Sequence, residues 1–140
     1  MSYIEIKNVS KSYKNKKVFE NISLKIDKCK FVSFIGSYGS GKTTLLKMIA
    51  GIEELDKGEI LIDGKSPKKL KEELKMGFAF QEPMLLPWRN VIDNITLPLE
   101  INGNKNIDKA YSLLKLVELE SKGKCYPSEL SGGMQRIISY

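Results

Sequence analysis

Gly36-Ser37-Tyr38-Gly39-Ser40-Gly41-Lys42-Thr43 fits the pattern G-x-x-x-x-G-K-[ST], a glycine-rich loop whose backbone N–H groups converge on a polyphosphate. Immediately before it, the apolar run Lys30-Phe31-Val32-Ser33-Phe34-Ile35 predicts a buried strand. Immediately after it, Thr44-Leu45-Leu46-Lys47-Met48-Ile49-Ala50 predicts a helix closed by Gly51. That order matters, because loop amides and the positive end of the following helix must point at one anion. Gly36, Gly39 and Gly41 permit the turn and the close approach, with Ser37, Tyr38 and Ser40 between them. In such a loop Lys42 reaches the β- and γ-phosphates, Thr43 gives its hydroxyl to Mg²⁺, and Thr44 serves the α-phosphate side. The stretch implies a nucleoside triphosphate, ATP or a relative, with Mg²⁺.

The remainder bounds the alternatives. One hundred and forty residues, 41% hydrophobic and 29% charged, have globular composition and suit one ordinary domain. The net charge of +6 arises from lysines scattered along the chain rather than gathered with aromatics, so no nucleic-acid partner is expected. No apolar run approaches the roughly 18 residues of a membrane span, and residues 1–6 carry no signal-peptide core. A cytoplasmic protein is expected on that reading. Cys29 and Cys125 lack metal spacing and are expected as free thiols, and histidine does not occur.

Taken in order, residues 3–9 alternate as a half-buried strand, and residues 18–19 and 22–26 predict further short strands of an antiparallel piece. Residues 57–64 predict a strand ending in the Asp63-Gly64 turn. The lysine-rich residues from Pro67 to Lys75 predict an exposed connection, and residues 76–80 a buried strand ending at Gln81. Beyond Glu82, Pro83, Pro87 and Trp88 mark a loop, followed by a helix over residues 91–97 that Pro98 should interrupt. A second helix, over residues 107–119, shows an apolar stripe at Ala110, Leu113, Leu114 and Val117, with Asn106 or Asp108 as its cap.

Near the end stands Leu130-Ser131-Gly132-Gly133-Met134. Ser131 fits an N-cap, and Gly132 and Gly133 leave the first N–H groups of a helix accessible to an anion. Together with the phosphate-binding loop, this stretch closely resembles the signature motif of ABC transporter ATPases, and the resemblance runs from about Tyr3 to Tyr140. It implies a P-loop NTPase of ABC type: an α/β fold with an N-terminal antiparallel β subdomain, a partial parallel core sheet and a helical subdomain. The expected division is residues 1–81 for the β subdomain and loop core, and 82–140 for the helical part.

The resemblance also implies roles. The signature of one subunit closes over the γ-phosphate held by another, so a nucleotide-sandwich homodimer is implied. Gln81 matches the glutamine that senses Mg²⁺ and the attacking water where the membrane permease docks, and Tyr13 matches the aromatic that stacks on adenine. The chain would then lie peripherally on the inner face of the cell membrane, linked to a solute-binding protein only indirectly. Residues 80–88 and 94–100 resemble the importer branch serving nitrate, sulfonate, taurine and thiamine-precursor uptake. A relation to ABC proteins of DNA repair or chromosome structure is opposed by the short span from Thr43 to Ser131, which holds no heptad insertion.

Several positions depart from the family pattern. Tyr38 stands where Ser or Asn is usual, Cys29-Lys30 replaces Gly-Glu, and Gln135 follows Met134 directly before Arg136. Nor does the sequence contain the apolar strand ending in Asp-Glu, or the switch histidine, that the family uses to hydrolyse ATP. The expectation is therefore the N-terminal part of an importer ATPase. Its alternative is a catalytically incomplete nucleotide-binding fragment that holds ATP far better than it turns it over. Without neighbouring strands, residues 31–35 are expected to keep open edges.

Overall fold

The computed structural model describes residues 2–14, 16–73 and 75–140; readings that touch Met1, Asn15 or Leu74 lie outside the described residues. The chain divides into two compact units, Met1–Phe78 and Ala79–Tyr140.

In the first unit, β1 (Ser2–Tyr13) pairs antiparallel with both β2 (Lys16–Asp27) and β3 (Lys57–Ile62), giving the order β2-β1-β3. The two short strands expected over residues 18–26 are one continuous strand. It bends through register shifts instead of breaking. At two of these irregularities Asn8 and Asn21 take left-handed φ of 49° and 54°, and each orphaned N–H is caught across the ribbon. Asn8 N donates to Ser23 Oγ at 3.0 Å and Asn21 N to Ser10 Oγ at 3.0 Å, so the extra residues leave no unpaid donor.

Helix α1 (Lys42–Ile49) lies on this sheet, burying Leu45 and Met48 against Ile6, Val9 and Ile60. Each such side chain contributes about 1.5–3 kcal/mol by leaving water. The helix ends as expected at Gly51: with φ of 65° it lets Gly51 N reach Met48 O at 3.0 Å and Ile52 N reach Lys47 O at 2.8 Å, the paired bonds of a Schellman close.

Residues 31–35 correct a sequence expectation. They form no strand, and Phe31 and Ile35 are each 95% exposed, while Phe34 alone packs partly on the core. A strand exists only where a neighbour completes its ladder, and the described sheet consists of β2, β1 and β3 alone. Residues 76–80 likewise run without strand structure. Apolar character marked both runs but supplies no partner. Conversely, the lysine-rich connection contains a helix, α2 (Pro67–Glu72), started by the Ser66 side chain accepting from Lys69 N, with Pro67 at its first turn and Leu70 buried.

The second unit is helical. Helix α3 (Val91–Ile101) is capped by Asn90, whose side chain accepts from Asp93 N at 2.8 Å, and it runs through Pro98 rather than stopping there. Proline forfeits one backbone bond, and this loss is offset by burial of Val91, Ile92 and Thr96 and by a charge network. Arg89 Nη2 lies 2.7 Å from Glu100 Oε2, and Lys105 Nζ lies 2.8 Å from both Glu100 Oε1 and Asp93 Oδ1. Lys105 first, and Arg89 second, hold the Glu100 carboxyl down at about 2. A folded carboxyl below its ordinary value of 4.5 stabilises above that value, and its contribution disappears as pH falls from about 4.5 toward 2. Urea unfolding should therefore show wild type losing midpoint over this window and Glu100→Gln losing less; equal acid sensitivity would dissociate Glu100 from the effect.

Helix α4 (Ile107–Leu116) is capped by Asn106, which accepts from Lys109 N at 2.9 Å. Of the expected stripe, Ala110 and Leu114 are buried, whereas Leu113 and Val117 are exposed. Only one narrow line of the helix faces Val91, Ile92, Leu119 and Leu130. The helix stops three residues early because Glu118 turns left-handed, at φ of 58°, sending Leu119 N to Leu114 O at 2.9 Å. This is the closing turn usually given to glycine. Left-handed strain of about 1–2 kcal/mol, less about 0.4–1 for a freer unfolded chain, predicts that Glu118→Gly stabilises by roughly 0.5–1 kcal/mol in denaturant unfolding. A destabilisation would show that the glutamate side chain supports this turn.

Two short 3₁₀ turns, Glu120–Lys122 and Pro127–Glu129, lead to α5 (Gly132–Ile138).

Candidate phosphate-binding site

The turn that precedes α1 is shaped by its glycines. Gly39 and Gly41 stand at φ of 75° and 88°, and at Gly41 a Cβ would lie 2.5 Å from Val18 Cγ1 and 2.9 Å from Phe19 Cδ1. The loop is thus seated against β2, and only glycine fits the seat.

Lys42 folds back across this turn. Its Nζ donates to Gly36 O at 2.9 Å, Ser37 O at 2.7 Å and Ser40 Oγ at 3.1 Å, so the ammonium sits within the loop it belongs to. Helix α1 has Gly41 at its N-cap, with no side-chain cap and no acidic residue in its first turn. Its first backbone bond is Leu45 N to Gly41 O at 2.9 Å, which leaves the N–H groups of the first turn without intrahelical acceptors. An uncapped helix start beside a fixed ammonium has the charge and geometry that suit an anion. Thr43 is exposed at this end, Thr44 is half-buried, and the Tyr38 ring stands fully in solvent.

Among the described residues, no three His, Cys, Asp or Glu side chains gather as a metal site. Were a divalent ion bound here, the exposed Thr43 could offer it a hydroxyl.

Tyr13 lies at the end of β1, 45% exposed. Two residues before it, Lys11 pairs in register with Phe19, the residue that walls Gly41. The hairpin end carrying Tyr13 is therefore joined to the loop through one cross-strand step. Lys11 itself is a residue that the sequence reading did not single out. It is 7% exposed, pairs with Glu53 Oε1 at 2.8 Å and Asp56 Oδ1 at 3.6 Å, and donates to Glu54 O at 2.6 Å. The Glu53 carboxylate holds the Lys11 ammonium above the usual lysine range, and Lys11 in turn holds Glu53 below the usual carboxylate range. The available signal was its place in the alternation, on the inward face with Val9, where a lysine needs partners.

Gln81, Ser131, Gly132 and Gly133 belong to the second unit. Gln81 is exposed at a bend. Ser131 caps α5 as expected, accepting from Met134 N at 3.3 Å, and Gly132 and Gly133 are exposed. The turn before them is clamped by Gln135, whose Nε2 donates to Pro127 O at 2.8 Å and Leu130 O at 3.3 Å. Met134 turns inward against the core of this unit. Among the described residues, no helix is long and apolar enough to cross a membrane.

The ABC transporter family model matches residues 19–139. The chain is 43% identical to the methionine import ATP-binding protein MetN of Clostridium tetani, over 97% of this chain and 46% of that protein. It is 41% identical to the aliphatic sulfonates import ATP-binding protein SsuB of Bacillus cereus, over 95% and 52% respectively. The chain thus spans about half the length of these curated relatives. Among solved structures it resembles the ATP-binding cassette MJ0796, a dimer in a post-hydrolysis state bound to ADP and Pi, with a TM-score of 0.82 and 33% identity over 97% of this chain and 67% of that one. It also resembles the ATP-binding subunit of an ABC transporter, with a TM-score of 0.81 and 26% identity over 99% and 60%.

Proposed function

The chain belongs to the ABC transporter family, with the α/β fold of its ATP-binding cassettes, and from that premise we propose that it holds the triphosphate of Mg·ATP to energise an importer. The observation that carries this reading is the Lys42 ammonium drawn across the loop beside the uncapped start of α1. Incoming phosphate oxygens exchange for the carbonyls of Gly36 and Ser37 on Lys42 Nζ, and the first-turn N–H groups donate to the remaining phosphate oxygens. Mg²⁺ carried by the nucleotide would neutralise phosphate charge, and Thr43 would supply its hydroxyl to the ion.

Tyr13 offers its half-exposed ring to adenine, while Tyr38, Ser40 and Thr44 border the phosphates. Ser131, Gly132 and Gly133 face the nucleotide of a second subunit, which makes a homodimer the working unit. Gln81 and the segment after it meet the membrane permease, and a solute-binding protein is engaged only through that permease. This location puts the protein on the cytoplasmic face of the membrane. The solute class proposed is nitrate, sulfonate, taurine or a thiamine precursor, supported by the sequence of residues 80–88 and by likeness to the sulfonate import protein.

The test is calorimetric titration of the full chain with Mg·ATP and with AMP. Since the contacts lie on the β- and γ-phosphates, each charge-assisted bond is worth about 1.5–3 kcal/mol and ATP should bind at least about a hundredfold tighter than AMP. Equal affinities would remove the phosphate cradle as the site.

A further inference from the structure

Lys11 is buried, charged, and used by neither the phosphate cradle nor the core. Its ammonium lies 5.1 Å from the centroid of the Tyr13 ring, within cation–π range. The same ammonium is fixed by Glu53 Oε1 at 2.8 Å and by Glu54 O at 2.6 Å. Both acceptors lie in the turn that follows α1, the helix whose other end opens at the phosphate loop. The Tyr13 ring is thus tied to a lysine that is itself held by Glu53, while Ser12 N, next to it, donates to Asp56 Oδ2 at 2.7 Å.

We propose that Lys11 is a positioning residue for the nucleotide base: its ammonium, anchored by Glu53, fixes the Tyr13 ring in one orientation through the cation–π contact, and Tyr13 stays 45% exposed for a purine to stack on. This rests on the reading of Tyr13 as the adenine platform. A half-exposed tyrosine at a hairpin end would otherwise lose side-chain freedom each time a base stacked on it, and Lys11 removes that cost in advance. The role concerns the base alone, since every polar contact of Lys11 lies away from residues 36–44.

The experiment compares ATP with inorganic tripolyphosphate, which has the anionic chain and no base, on the full chain and on Lys11→Met, Lys11→Arg, Tyr13→Ala and the double variant Lys11→Met/Tyr13→Ala. Lys11→Met should weaken ATP about three- to tenfold and leave tripolyphosphate unchanged. Lys11→Arg, which keeps both the ion pair and the cation–π contact, should retain wild-type ATP affinity within about twofold. In the double variant the losses should not add, because both substitutions remove one unit. Equal weakening of ATP and tripolyphosphate by Lys11→Met, additive losses, or unchanged ATP affinity would each overturn the proposal. If Lys11→Met fails to fold, the comparison of Lys11→Arg with Lys11→Gln decides on the same two ligands. Wild type binding ATP no tighter than tripolyphosphate would remove the adenine platform, and this role with it, while leaving the phosphate cradle standing.

Discussion

Lys42→Ala should lower the affinity for Mg·ATP by at least about two orders of magnitude while leaving the unfolding midpoint nearly unchanged. The ammonium makes three contacts, all to residues two to six positions earlier in its own loop. None reaches the core formed by Leu45 and Met48 with Ile6, Val9 and Ile60. Deleting it therefore removes charge without opening a cavity. Against a triphosphate, the lost charge-assisted bonds amount to about 3 kcal/mol or more, or at least about a hundredfold in Kd. Titration of wild type and variant with Mg·ATP reads this directly. Unchanged affinity in a folded variant would mean that the anion binds elsewhere.

Gly58→Ala should be the most destabilising single methyl in the first unit. Gly58 sits in β3 at φ of 92°, opposite the register shift between Lys7 and Ser10 of β1. A Cβ there would lie 2.5 Å from the Asn8 carbonyl oxygen and would press on that of Lys7. These are backbone atoms of a central strand and cannot rotate aside. Left-handed strain of about 1–2 kcal/mol and crowding of about 1–3 together predict a loss of roughly 2–5 kcal/mol, a large share of a typical domain's stability. Gly64→Ala provides the contrast: its φ is 72° but nothing lies within 4 Å of the added carbon, so only the strain of about 1–2 kcal/mol remains. Denaturant midpoints of the two variants separate crowding from conformation, and equal losses would show that crowding at the bulge contributes nothing.

What could be read in the sequence was what residues settle with their near neighbours. The loop from Gly36 to Thr43 and its helix, the close at Gly51, the caps at Asn106 and Ser131: each depends on fewer than about ten consecutive residues, and each stands where the pattern put it. What failed depended on distant partners. Residues 31–35 are as apolar as any strand in the chain, yet a strand is a relation between segments, and no ladder joins them to β2, β1 or β3. The sequence predicts an interruption at Pro98 because its own helix bond is lost, whereas burial on α3 and the Arg89–Glu100–Lys105 network decide the outcome. Glu118 ends α4 in a conformation that its residue type disfavours. Lys11 was invisible for a similar reason: its partners are Glu53, Glu54 and Tyr13, and the two glutamates are forty-odd positions away.

The central claim, that residues 36–44 cradle a triphosphate, is tested most directly by amide NMR of the full chain during titration with Mg·ATP. The account predicts that the largest shift changes fall on Gly39, Gly41, Lys42, Thr43 and Thr44, with smaller ones at Tyr13, and that AMP reproduces none of the loop changes. Saturable changes centred on other residues, or none at millimolar nucleotide, would contradict it.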